Sequence, residues 1–248
     1  MKPIRLCSAG TSTLALLAII TATLTQAAAA ERQRSGSFEN SRGRNGTFQQ
    51  EAERKRGEAR RQTTVESGRG TSVRQSEAQW DREAGSANRM TTSTAPNGRT
   101  ATTERSALRT GEGSGTVEGS RTGFNGKTTE WDKSIQKNGD GTASVDARYT
   151  GPNGDTATTS KTVTKTDTGH AVSGTYATST GKSGEFTKEV VNAEGTRTKT
   201  GSITGQNGET ATRVVETTRE GPTIDRTAVT TGPNGHSRTN AGSVTINK

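Results

Sequence analysis

The chain has 248 residues and a mass of 26.0 kDa, with 25% hydrophobic and 3% aromatic residues and a formal net charge of +9. Beyond residue 30 it holds a single leucine, Leu108, so a helical bundle or an α/β nucleotide-binding fold, which need leucine-rich faces, is excluded, as is a conventional apolar enzyme core. The charge is low for the length and does not reach the high-charge, low-hydrophobicity combination of a disordered chain.

Residues 1–30 read as a secretory signal. Lys2 and Arg5 form the positive start, Leu14 to Ile20 the short apolar run, and Ala27 to Ala30 the small residues that precede cleavage. Thr21, Thr23 and Thr25 interrupt the run before it reaches the ~20 residues a membrane span needs. Cys7, the one cysteine, lies inside this segment, so the exported chain has no disulfide, no thiolate nucleophile and no cysteine metal ligand. The expected location is the periplasm, the cell surface or the extracellular space, with no transmembrane segment in the mature chain.

Residues 31–90 are rich in Arg and Glu. They read as degenerate repeats or a partly disordered lead-in. The run from Phe48 to Arg56 has some helical character, which Gly57 and the turn register oppose.

Residues 91–248 form a threonine-rich repeat domain. From Glu31 onward the chain contains 42 threonines, a β-branched residue suited to a pleated, half-exposed strand. Four-residue units closing on glycine recur about every 27 residues. The expected turn residues are Gly46, then Pro96, Asn97 and Gly98, then Asn125 and Gly126, then Pro152, Asn153 and Gly154. They continue with Asn207 and Gly208, then Pro233, Asn234 and Gly235. Proline presets the first turn position, Asn tolerates the bridge or left-handed region, and the closing Gly takes a positive φ that returns the chain antiparallel. Between successive units lies a second glycine, among them Gly57, Gly85, Gly113, Gly141, Gly169, Gly195 and Gly221, each at an odd offset that preserves strand parity. Ala143, Val145, Ala147 and Tyr149 share one face of a strand, and Thr129, Trp131, Lys133 and Ile135 one face of another. A small residue recurs before each unit, as at Gly119 and Ala147, and implies close packing there.

The predicted fold is therefore all-β: a repetitive antiparallel hairpin meander, two strands per repeat and roughly fifteen strands in all, curled or sandwiched. The alternative is a parallel β-solenoid with one repeat per rung.

Candidate chemistry is sparse. His170 and His236 each follow a turn glycine and read as solvated turn residues. Asn138-Gly139-Asp140-Gly141 lacks the carboxylates of a calcium loop. No catalytic, cofactor-binding or metal-binding residues are predicted, and no cofactor.

The segments Thr150-Gly-Pro-Asn-Gly-Asp-Thr-Ala-Thr-Thr159, Thr204 to Thr212 and Thr231 to Gly235 resemble threonine-rich secreted repeat proteins of Gram-negative bacteria carrying G-P-N-G turns. They are also distantly similar to Rhs/YD-repeat shells built from glycine-turn hairpins, without the Tyr-Asp signature. The resemblance implies a secreted β-repeat protein and no activity.

The expected function is that of an exported, non-enzymatic structural or interaction protein. A surface module binding polysaccharide or another polyanion is the second reading, and an enzyme using scattered carboxylates and histidines the third. Self-association is expected through residues 241–248, the less charged edge of an open sheet.

Overall fold

The computed structural model describes residues 30–41 and 43–247. The signal reading of residues 1–30 lies, except for Ala30, outside the described residues. Sixteen strands follow one another: β1 Ala30–Asn40, β2 Asn45–Lys55, β3 Glu58–Ser67, β4 Gly70–Asp81, β5 Ser86–Thr94, β6 Thr100–Gly111, β7 Ser114–Thr122 and β8 Thr128–Lys137. Then come β9 Thr142–Thr150, β10 Thr156–Lys165, β11 Gly169–Thr178, β12 Ser183–Ala193, β13 Thr196–Gly205, β14 Thr210–Glu220, β15 Thr223–Thr231 and β16 Ser237–Asn247. Each pairs antiparallel with its neighbours in sequence, and β1 pairs with β16, so the sheet closes into a barrel. The hairpin meander is the observed fold and its curling runs to full closure; among the described residues every strand pair is antiparallel, not parallel as a solenoid would require.

Residues 31–90 supply β1 to β4 and the first part of β5 of this same sheet. The stretch from Phe48 is strand β2, not helix. An open sheet would have left 241–248 at an edge. Here β16 is bonded to β15 on one side and β1 on the other, so the free edge that the self-association expectation needed is absent.

Turn chemistry explains the hairpins. At one rim, Ala95 N donates to Arg99 O at 2.9 Å and Gly98 N to Ala95 O at 2.9 Å, with Gly98 at φ 77°. This is a tight turn closed by a left-handed glycine bulge. The same pattern recurs at Gly126, Gly154, Gly208 and Gly235. Asn97, Asn125, Asn207 and Asn234 each accept, on Oδ1, the backbone N–H two residues on. Pro96, Pro152, Asn153 and Pro233 lie in these same turns, outside the strands.

Gly46 departs from the expectation. It lies in β2, paired with Phe38 and Ser67, while Gly43 at φ 67° closes the first turn on Asn40. The β11–β12 turn at the same rim shows the same arrangement: Gly181 closes on Thr178, and Gly184 is inside β12. In both cases a glycine three residues earlier supplies the positive φ, so the G-x-x-G spacing names the wrong glycine.

Cross-strand register tilts the strands. Followed once around, it returns to β1 displaced by about 20 residues, and sixteen strands ~4.8 Å apart then enclose a cylinder roughly 30 Å across and ~25 Å tall at the backbone.

Among the described residues, every buried residue other than glycine is on the same face of this wall: Ser76, Thr91, Ala101, Ala107, Val117, Lys133, Ile135, Val145, Ala147, Val163, Val190, Val215 and Ala228. The wall is one layer thick, so a side chain is shielded only by its lateral neighbours. Those converge on the concave side and splay on the convex one; the buried face is the inner face. Its core is a lateral stripe, Ala107–Val117–Ile135–Val145–Val163, with Ala87 and Val172 against it. The close approach expected at Gly119 is thus made by a neighbouring strand and not by a second layer: a Cβ there would overlap the Trp131 ring.

Candidate functional site

Alternation with period two sorts the charges as well as the apolar residues. Among the described residues, every Asp and Glu within a strand points outward, from Glu31 and Glu53 at the start to Glu216 and Asp225 near the end. Nearly all strand-borne Lys and Arg point inward; Lys55, Arg60 and Arg148 are the outward ones. The ion pairs Lys55–Glu53 at 2.6 Å and Arg60–Glu77 at 3.8 Å both lie on the outer face.

The inner cations form a belt near mid-height. Arg105 on β6, Lys133 on β8, Lys161 on β10 and Lys188 on β12 stand on alternate strands. Each row of paired residues climbs towards the Asn-Gly rim with increasing strand number. Lys133 shares its row with Ala147 and Thr159, and Lys161 lies two residues back from Thr159; Lys161 shares its row with Gly174 and Phe186, and Lys188 lies two residues back from Phe186. The climb and the step back offset one another, so the belt stays level. Arg61, Arg74 and Arg89 continue it on one side, and Arg197, Lys199 and Arg226 on the other.

The cations feel one another without an intervening carboxylate. The Lys133 ammonium is lowered to about 8, by burial first and by Lys161 and Arg105 in addition. Lys161 is lowered by burial and by Lys188, and Lys188 by burial and by Arg197. Lys199 is lowered by burial, then by Arg197, Lys188 and Arg226. Burial likewise lowers Arg105, with Arg89 adding, and Arg89, with Arg74 and Arg61 adding. Lys133 is 4% exposed and its Nζ lies 5.3 Å from the centre of the Tyr149 ring; Arg54 stands 5.5 Å over Trp80. These rings stabilise their cations only in part, since a π face is a weak counter-charge. Arg89 Nε donates to Ser76 Oγ at 2.9 Å.

The two histidines do not converge. His170 opens β11 on the inner face, paired with Lys165 and Val190, and is not in a turn as its sequence position implied. Burial lowers it, with Lys188, Arg197 and Lys199 adding. His236 lies in the turn at the opposite rim. Asp140 is engaged by its own turn, accepting from Thr142 N at 2.9 Å and Thr142 Oγ1 at 2.6 Å, which holds its carboxyl below the usual range. Among the described residues no group of three His, Cys, Asp or Glu is placed to hold a metal ion.

The belt was missed by sequence reasoning, although its signal is present. Lys133 sits on the apolar face of its strand in the heptad Thr129-Glu130-Trp131-Asp132-Lys133-Ser134-Ile135, and the acids sit on the other. Sorting charge by parity would have shown it.

No family model matches the sequence, and no curated protein matches it. Among solved structures, a mutant of the Rh. blastica porin is similar with 11% identity and a TM-score of 0.44, over 89% of this chain and 100% of that one.

Proposed function

We propose that the protein is an exported, non-enzymatic barrel that holds an anionic polymer in its lumen. The observation that carries this reading is the inner face: Arg or Lys on every strand from β3 to β15 except β9 and β11, with no inward strand carboxylate among the described residues to neutralise them. Confining like charges on a concave wall costs stability, and a multivalent anion removes that cost while displacing counterions.

The outer face supports a barrel that stands in water, in the periplasm or outside the cell. Glu104, Glu118, Asp132, Asp146 and Glu189 lie outward near the middle of their strands, among rows of Ser and Thr. A lipid-facing wall carries an apolar band ~25 Å tall, and charge in its middle is destabilising. Reversing the wall would not help, because the inner face carries the belt. No helix among the described residues is long and apolar enough to cross a membrane.

The test is polyanion binding by the mature protein across a salt series. The logarithm of the affinity for inorganic polyphosphate is expected to fall linearly with the logarithm of salt concentration. The slope should be shallower by about one for each contact removed in Lys161→Gln and Lys188→Gln. Absence of binding at low salt, or binding indifferent to these lysines, sinks the reading.

A further inference from the structure

The belt is not uniform. Between β8 and β12 its cations are lysines only, and a strip of aromatic rings runs beside them, one row nearer the Asn-Gly rim. Trp131 is two residues from Lys133 on β8 and pairs directly with Tyr149. Tyr176 is two residues from Gly174, the partner of Lys161. All three rings are half-buried on the inner face.

These rings lie along the wall. Trp131 covers Gly119 of β7, and Tyr176 covers Gly184 of β12, where an added Cβ would come within 2.8 Å of the Tyr176 ring. Glycine at both partner positions lets each ring lie down on the neighbouring backbone. The indole Nε1 of Trp131 is buried and has no hydrogen-bond partner in the protein. A buried donor left unpaired costs about 1–3 kcal/mol, a cost that an acceptor supplied by water or by a ligand would offset.

We infer that this arc is a subsite for an extended acidic polysaccharide of the polyuronate class, lying across the strands with pyranose faces on Trp131 and Tyr176 and carboxylates towards Lys161 and Lys188, while Lys133 stays beneath, its ammonium over the Tyr149 ring. The inference rests on the lumen reading given above. The spacing supports it. The lysines recur on every second strand, each two residues back from its predecessor's row, which puts them ~12 Å apart at the backbone, with their side chains converging towards the lumen. An extended pyranose unit is about one strand spacing long, so a chain with a two-fold screw presents a carboxylate to the same side at every second unit. A nucleic acid strand or inorganic polyphosphate has a different charge repeat, and polyphosphate has no ring to lay on the aromatic strip.

Trp80 and Trp131 are the chain's two tryptophans. A Trp80→Phe mature protein therefore reports on Trp131 alone. Its emission would be followed during titration with oligogalacturonate, oligothymidylate and inorganic polyphosphate of matched charge. Oligogalacturonate is expected to bind at least ten-fold more tightly than the other two and to change Trp131 emission. Tyr176→Leu, which keeps bulk on Gly184, is expected to abolish that preference while polyphosphate binding persists. Should Tyr176→Leu fail to fold, Lys161→Gln with Lys188→Gln gives the second reading, a loss of at least ten-fold in oligogalacturonate affinity. Equal affinities with unchanged emission overturn the subsite and leave the lumen reading standing, as does a preference for oligothymidylate. Failure of all three ligands to bind overturns the lumen reading itself.

Discussion

Lys133 shows most directly what the inner wall costs. An ammonium lowered to about 8 binds its proton less readily folded than unfolded, where its ordinary value is 10.5. Between those values the unfolded chain holds more protons, so stability rises with pH from about 8 to about 10.5 and the full penalty is present below 8. The penalty is on the order of a few kcal/mol. Lys133→Met is expected to raise the melting temperature at pH 7 and to flatten the rise between pH 8 and 10, read by thermal denaturation at a series of pH values. Backbone strain offers a second case. Among the described residues, Glu194 is the one non-glycine residue with positive φ, 45°, next to Gly195 at 78°. Glu194→Asn places a residue tolerant of that region in the same turn and should stabilise by about 1 kcal/mol, or a few degrees in melting temperature. A lower melting temperature would mean that Glu194 makes a compensating contact. Gly119 is constrained by space: Gly119→Val forces the Trp131 ring off the wall and should destabilise by about 1–3 kcal/mol, with a shift in tryptophan emission that Gly115→Val would not give.

At the scale of strands, the ladder that closes the barrel is the shortest. Phe38 to Val244 lies within a run of six partners, Ser35–Asn40 against Gly242–Asn247, whereas β1 and β2 share ten. The first half of β1 is thus bonded on one side only. Amide hydrogen exchange should be fastest in Ala30–Arg34 and along this seam, and slowest in β7 to β10, where Val117 and Val163 are buried. Protection at the seam equal to that of β8 would contradict this. The strands and most hairpins were legible because their signals are local: alternation in Gly141–Gly151 and a positive-φ glycine after Pro-Asn. Gly46 misled because glycine also serves inside strands, here under the Phe38 ring. Closure was not legible. It depends on the summed stagger of sixteen ladders, and no short segment encodes that sum. The cation belt was hidden for a related reason, since its members lie about 28 residues apart in sequence and meet only through register.

At the scale of the molecule, closure reverses the expectation about association. With both ends of the sheet paired, the full mature chain should be monomeric in light scattering. A chain ending at Gly235 loses β16, exposes β15 and β1, and should self-associate; a monomeric truncation would overturn this and mean that β15 and β1 re-close as a parallel pair, the one break in antiparallel order that an odd strand number imposes. That parity has a consequence for how such a molecule varies. Strands enter and leave in pairs, one repeat at a time, and the diameter of a barrel grows roughly in proportion to strand number. The copy number of a ~27-residue unit therefore acts as a gauge for the bore: deleting one unit narrows it by about one-eighth and duplicating one widens it by the same step. A lineage could tune the thickness of what it encloses by recombination between near-identical stretches of its own gene, without changing a single side chain on the wall.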